Sequence, residues 1–97
     1  MTERGFIRHV VFFSAKDKQD VPRIVEGLRL LGTIPHASTF EVVENAAVDA
    51  LSSEIDVVVY AEFADAAALK AYKEDPIYQE SIRRVRPLRE IRIAADF

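Results

Sequence analysis

The chain has 97 residues, of which 49% are hydrophobic and 30% charged, with a formal net charge of −3 and no cysteine. A length of this order fits one domain over residues 1–97, because so short a chain cannot divide its apolar side chains between two stable cores. The charge balance argues against a general phosphate-binding surface and so against nucleic acid as a partner, and the lack of cysteine excludes disulfides, thiolate metal sites and cysteine nucleophiles.

Nothing in the sequence approaches the ~20 consecutive apolar residues of a membrane span. Met1-Thr2-Glu3-Arg4-Gly5 leads straight into strand-like sequence with neither a long apolar stretch nor a small-residue cleavage site. The expected location is therefore the cytoplasm, with no membrane partner.

Phe6 to Ser14 is rich in β-branched and aromatic residues over a strand's length, which predicts a first strand. Alternation puts Ile7, His9, Val11 and Phe13 on one side and Arg8, Val10 and Phe12 on the other. Beyond the polar stretch Lys16 to Asp20, apolar residues at Val21, Ile24, Val25, Leu28 and Leu31 follow helical spacing. Asp20 is placed to cap this helix, Pro22 falls in its first turn, and Gly32 is placed to close it. Thr33 to Ala37 reads as a loop, Ser38 to Glu44 as a weaker second strand, and Asn45 to Glu54 as a connection.

Ile55 to Phe63 is the clearest strand, with Val57, Val59, Ala61 and Phe63 on one face and Asp56, Val58, Tyr60 and Glu62 on the other. Asp65 caps a second helix through Ala66, Leu69 and Tyr72. Asp75-Pro76 interrupts that helix, since proline disfavours helical geometry in the residue before it, yet the pair is a good cap and first position for another helix carrying Tyr78, Ile82 and Val85. Pro87 ends this segment. Leu88 to Phe97 reads as the last strand, alternating Arg89, Ile91, Ile93, Ala95 and Phe97 against Leu88, Glu90, Arg92, Ala94 and Asp96.

The order strand, helix, strand, strand, helix pair, strand predicts a ferredoxin-like α+β fold, a four-stranded antiparallel sheet with its helices on one face. A faint echo between Val10 to Asp17 and Val58 to Asp65 fits two related halves. The opposite face of the sheet is left uncovered, and Val10, Phe12, Val58 and Tyr60 point to it where a solvated sheet carries polar residues. Fully burying a large apolar side chain contributes roughly 1.5–3 kcal/mol, so a second copy covering this face is expected, and with it a homodimer.

Ile7-Arg8-His9-Val10-Val11-Phe12-Phe13, Glu26-Gly27-Leu28 with Ile34-Pro35, Asp56 to Phe63, and Ala71-Tyr72 followed by Asp75-Pro76 together resemble the stress-responsive A/B barrel domain family over nearly the whole chain. That resemblance implies a dimeric α+β barrel in which two sheets close on each other. In the plant polyketide cyclase that the family includes, a small-molecule cavity lies between sheet and helices, and a Tyr and a His carry the chemistry. Tyr72 stands at that tyrosine's position. The family's frequent His-Pro-x-His segment reads Asp75-Pro76-Ile77-Tyr78 here, so Tyr78 replaces the histidine. Imidazole exchanges a proton near pH 7, whereas an unperturbed phenol has a pKa near ~10, so Tyr78 is suited to donating a hydrogen bond rather than to acting as a base.

His9 occupies the family's first-strand histidine position and faces the helix side, as a pocket base or as a core histidine satisfied by a backbone or tyrosine partner. Tyr72 and Tyr78 are placed to turn toward one cavity beside His9, or simply to pack their rings. His36 follows Pro35 in a loop and has no diagnostic metal-ligand spacing with His9, so no metal is expected. Arg83, Arg84, Arg86, Arg89 and Arg92 form the one basic concentration, suited to an acidic ligand or to a helix C-terminus with Glu80 and Glu90 as neighbours. Gly-rich phosphate loops, nucleophile elbows and HExxH helices are absent from the sequence.

The leading reading is a homodimer that binds a small, mostly apolar molecule, with cofactor-free acid/base activity, cyclase- or isomerase-like, using His9, Tyr72 and Tyr78. A non-catalytic dimerisation module with a filled interior is the second. A relative of the antibiotic-biosynthesis or haem-degrading monooxygenases is the third, and the lack of an obvious axial ligand pairing counts against haem in it.

Overall fold

A computed structural model describes residues 6–97, so the leaderless start read from residues 1–5 lies outside the described residues. Strand β1 (Ile7–Ala15), helix α1 (Val21–Arg29), strands β2 (Thr39–Glu44) and β3 (Val57–Phe63), helices α2 (Ala66–Glu74) and α3 (Pro76–Val85), and strand β4 (Arg89–Asp96) follow in the predicted order. The sheet runs β2-β3-β1-β4 with every neighbouring pair antiparallel. This is the ferredoxin-like α+β fold. Among the described residues no helix is long and apolar enough to cross a membrane.

Two of the three predicted caps hold. The Asp65 carboxylate accepts from the Ala68 amide, and that of Asp75 accepts from Ile77 while Pro76 opens α3, where its missing N–H is no loss. Asp20, the third, has helical backbone geometry and makes no side-chain cap bond. The chain already turns at Lys18–Asp20, so the free amide nearest the entry belongs to Gln19, and Asp17 accepts from it at 2.9 Å. Asp20 pairs instead with Arg23 at 3.1 Å.

Gly32 does not close α1 with a left-handed residue either, since no described glycine has a positive φ. The helix tightens into a 3-10 turn over Leu30–Thr33. Glycine is needed at that turn for space, because a Cβ there would sit 3.0 Å from the Phe40 ring.

Alternation sends Val11 and Phe13 of β1 and Val57, Val59, Ala61 and Phe63 of β3 inward, where they are buried against Ile24, Val25, Leu28 and Leu31. Helix α1 lies over β1, β2 and β3, and α2 over β3. A close helix contact fixes α3 on α1: a Cβ on Gly27 would lie 2.8 Å from Val85 Cγ2, and the buried Ser81 hydroxyl donates to the Gly27 carbonyl at 2.9 Å.

One register shift departs from the predicted alternation. Phe13 pairs with Arg92 but Ala15 with Arg89, so two steps along β1 match three along β4. Strict alternation groups Arg89 with Ile91 and Ile93; the extra residue instead brings Arg89 to the same side as Arg92.

Candidate functional site

A cavity of about 290 Å3 lies between the inner face of the sheet and α3, at the small end of ligand pockets. Leu28, Leu31, Val11, Val59 and Val85 form its apolar walls. The inward residues Arg92, Ala94 and Asp96 of β4 remain exposed, and Arg89 and Arg92 of that strand contribute to the polar lining.

His9 is 2% exposed and lines this cavity, on the face that strand parity predicts. Its partner is neither backbone nor tyrosine: Nδ1 lies 2.5 Å from Asp96 Oδ1 on β4. An ionised carboxylate only accepts, so Nδ1 carries the hydrogen, and the lone pair of the neutral ring is on Nε2. Among the described residues Nε2 has no hydrogen-bond partner, and no enclosed side-chain nitrogen or oxygen is left unsatisfied, so Nε2 is open to the cavity. Asp96 is the residue that sequence reasoning missed. The signal was available only through topology: in this strand order the start of β1 pairs with the end of β4, which sets His9 directly opposite Asp96.

Tyr72 is 1% exposed, and its ring meets Phe63, Tyr78 and His9 edge-on at centroid separations of 4.9, 5.4 and 6.4 Å. Its hydroxyl likewise has no hydrogen-bond partner among the described residues and is open to the cavity by the same reasoning. Burial, and then the neighbouring Tyr78 phenol, push the Tyr72 hydroxyl above its ordinary value, with Arg92 opposing. Tyr72 therefore keeps its proton and acts as a donor. Tyr78, half-buried, lines the same cavity, with its hydroxyl 3.5 Å from Arg92 Nη2, the outer limit of a hydrogen bond. The structure thus brings together His9, Tyr72 and Tyr78, the three residues singled out in the sequence.

The basic concentration splits in two. Arg83 and Arg84 point to solvent and both bond to Glu80, at 2.5 and 2.8 Å, which holds the Glu80 carboxyl down to about 2. Arg86, Arg89 and Arg92 line the cavity. Glu90, expected as a neighbour, makes no ion pair among the described residues. His36 is exposed in its loop, and among the described residues no group of three or more His, Cys, Asp or Glu is placed to hold a metal.

No curated protein matches the chain. Among solved structures, a Dabb family protein with a ferredoxin-like fold from Mesorhizobium loti MAFF303099 is 26% identical, with a TM-score of 0.80 over 97% of this chain and 96% of that one. A dimeric ferredoxin-like protein of unknown function from Jannaschia sp. CCS1 is 21% identical, with a TM-score of 0.83 over 96% of this chain and 98% of that one. A hydroxynitrile lyase from Passiflora edulis is 17% identical, with a TM-score of 0.79 over 98% of this chain and 94% of that one, a likeness of fold. The sequence model of the stress responsive A/B barrel domain matches residues 7–97, from the start of β1 through β4 and its Asp96, and the chain belongs to that family.

Proposed function

We propose that the chain works as a homodimer of single-domain protomers, each binding a small, mostly apolar molecule in its cavity and moving a proton on it without a cofactor. The observation that carries this reading is the presence of two open reactive atoms, His9 Nε2 and the Tyr72 hydroxyl, on one cavity with apolar walls. Asp96 fixes the orientation of the imidazole ring and its tautomer, which leaves the Nε2 lone pair facing the ligand. In this reading His9 removes a proton from a carbon beside a carbonyl, and Tyr72 donates a hydrogen bond to the oxygen on which negative charge develops. Tyr78 supplies a second phenol beside the first.

The dimer reading is supported by the outer face of the sheet and by the dimeric relative from Jannaschia. Val43, Val58, Phe12 and Ile93 lie in register as one apolar row across all four strands.

Proton exchange tests the chemistry directly. The protein, held in heavy water with a panel of small enolisable ketones and keto acids, is followed by proton NMR for loss of the signal beside the carbonyl. Wild type is expected to speed exchange on at least one compound, His9→Ala to lose about 10²–10⁴-fold of that rate, and Tyr72→Phe to slow it as well. Exchange at wild-type rate in both variants overturns the assignment.

A further inference from the structure

Three arginines share the cavity with His9 and Tyr72: Arg86 just beyond α3, and Arg89 and Arg92 on β4. Their situation differs from that of Arg83 and Arg84 a few residues earlier, each of which is matched by Glu80. Among the described residues Arg86, Arg89 and Arg92 make no ion pair, and the only polar side-chain contact of the three is the 3.5 Å approach of Arg92 to the Tyr78 hydroxyl. Asp96, the one carboxylate on the same face of β4, is bonded to His9.

Like charges gathered on one wall without a counter-charge repel, and at Arg89, half-buried where Arg86 and Arg92 are exposed, burial adds a desolvation cost that an opposite charge offsets. Arg89 registers both effects: burial, then Arg92, then Arg86, hold its guanidinium below the ordinary value. The arrangement is also built by the fold. Only the extra β4 residue between the Phe13–Arg92 and Ala15–Arg89 pairs turns Arg89 and Arg92 to the same side.

We propose that Arg86, Arg89 and Arg92 form an oxyanion subsite, so that the ligand of this cavity is a small apolar molecule carrying one carboxylate or phosphate group. This deepens the proposed function and rests on the cavity being a binding site. Guanidinium forks match either oxyanion by paired N–H···O bonds. Arg92 and Asp96 are four residues apart on one strand, roughly 13 Å along its axis, so the arginines and the His9 imidazole approach the cavity from different points along the sheet. The Arg92 guanidinium reaches toward the Tyr78 hydroxyl, and the Tyr78 ring packs on Tyr72, so the anionic group is expected on the tyrosine side of the cavity, with the apolar body of the ligand against Val11, Val59 and Leu28.

The test uses binding rather than turnover, so it stands apart from the exchange experiment: wild-type exchange rates in His9→Ala and Tyr72→Phe with intact anion binding remove the chemistry and leave this subsite. The probes are 2-naphthoate, 2-naphthyl phosphate and the neutral isostere 2-naphthamide, titrated into the full chain by calorimetry. At least one anion is expected to bind about tenfold or more tighter than the amide, the loss expected when charge-assisted hydrogen bonds are removed. The tighter of the two anions tells carboxylate from phosphate. Arg89→Met and Arg92→Gln are each expected to lower that affinity by about tenfold, and Arg83→Gln, which removes an equal charge from the solvent side, to leave it unchanged. Equal affinity for the amide, no binding of either anion at millimolar concentration, or an Arg83→Gln loss matching that of Arg89→Met overturns the proposal.

Discussion

The two faces of the sheet are arranged contrary to what a solitary soluble domain needs. On the outer face the row Val43–Val58–Phe12–Ile93 is apolar throughout, with Val43 and Ile93 at 47% and 58% exposure. The next row, Glu41–Tyr60–Val10–Ala95, is mixed, and Thr39–Glu62–Arg8 beyond it is polar, so the apolar character is concentrated toward one end. On the inner face, where helices form a core, the rows end on β4 in Arg92, Ala94 and Asp96. Apolar side chains facing water call for a protein partner, and charged side chains facing a cavity call for a polar ligand. One sheet thus separates an apolar face from a charged one by strand parity alone.

The sharpest way to break this comparison is to place a charge on the apolar outer row. Phe12→Asp is expected to dissociate the dimer: two copies of a large apolar side chain lose about 3–6 kcal/mol of burial, about 10²–10⁴-fold in affinity. Thr39→Asp, on the polar row, is expected to leave assembly unchanged. Sedimentation at micromolar concentration reads both. A Phe12→Asp dimer, or equal dissociation by Thr39→Asp, removes the gradient as the basis of pairing.

The same parity explains what the sequence shows and what it conceals. The inward placement of His9 beside Val11 and Phe13 follows from alternation within one strand, and the break between α2 and α3 from Asp75-Pro76 alone. Asp96 as the histidine's partner does not, because it lies 87 residues away and depends on which strand docks beside β1. Alternation alone puts Arg89 on the wrong side because it presumes an uninterrupted ladder, and a register shift leaves no mark in residue type. Asp17 replaced Asp20 as a cap for a similar reason: both are good capping residues, and only the preceding turn decides between them.

A smaller effect sharpens the comparison from the inner side, where α3 is held to α1. Gly27→Val is expected to destabilise by about 1–3 kcal/mol, since the added Cβ meets Val85 Cγ2 at 2.8 Å in a buried contact with little room to relax. Denaturant melts report the loss, and sedimentation at permissive temperature is expected to show the dimer intact, because Gly27 lies on the helix side. A melt at the wild-type midpoint means that α1 and α3 slide apart at no cost.

The smallest effect concerns the arginines that the cavity does not use. Hydrogen bonds from Arg83 and then Arg84 lower the Glu80 carboxyl from 4.5 to about 2, so the folded chain binds its proton less readily than the unfolded one. The contribution to stability is fully present above the ordinary value and fades as pH falls from about 4.5 toward about 2. All three groups are at the surface, where screening keeps such pairs weak. Wild type is therefore expected to lose slightly more stability than Glu80→Gln across that acid range, in denaturant midpoints taken at matched ionic strength. Parallel acid profiles mean that the clip adds nothing to stability. If Glu80→Gln tightens naphthoate binding by as much as Arg89→Met weakens it, Arg83 and Arg84 are not the bystanders that their pairing implies, and the contrast between matched and unmatched arginines no longer locates the subsite.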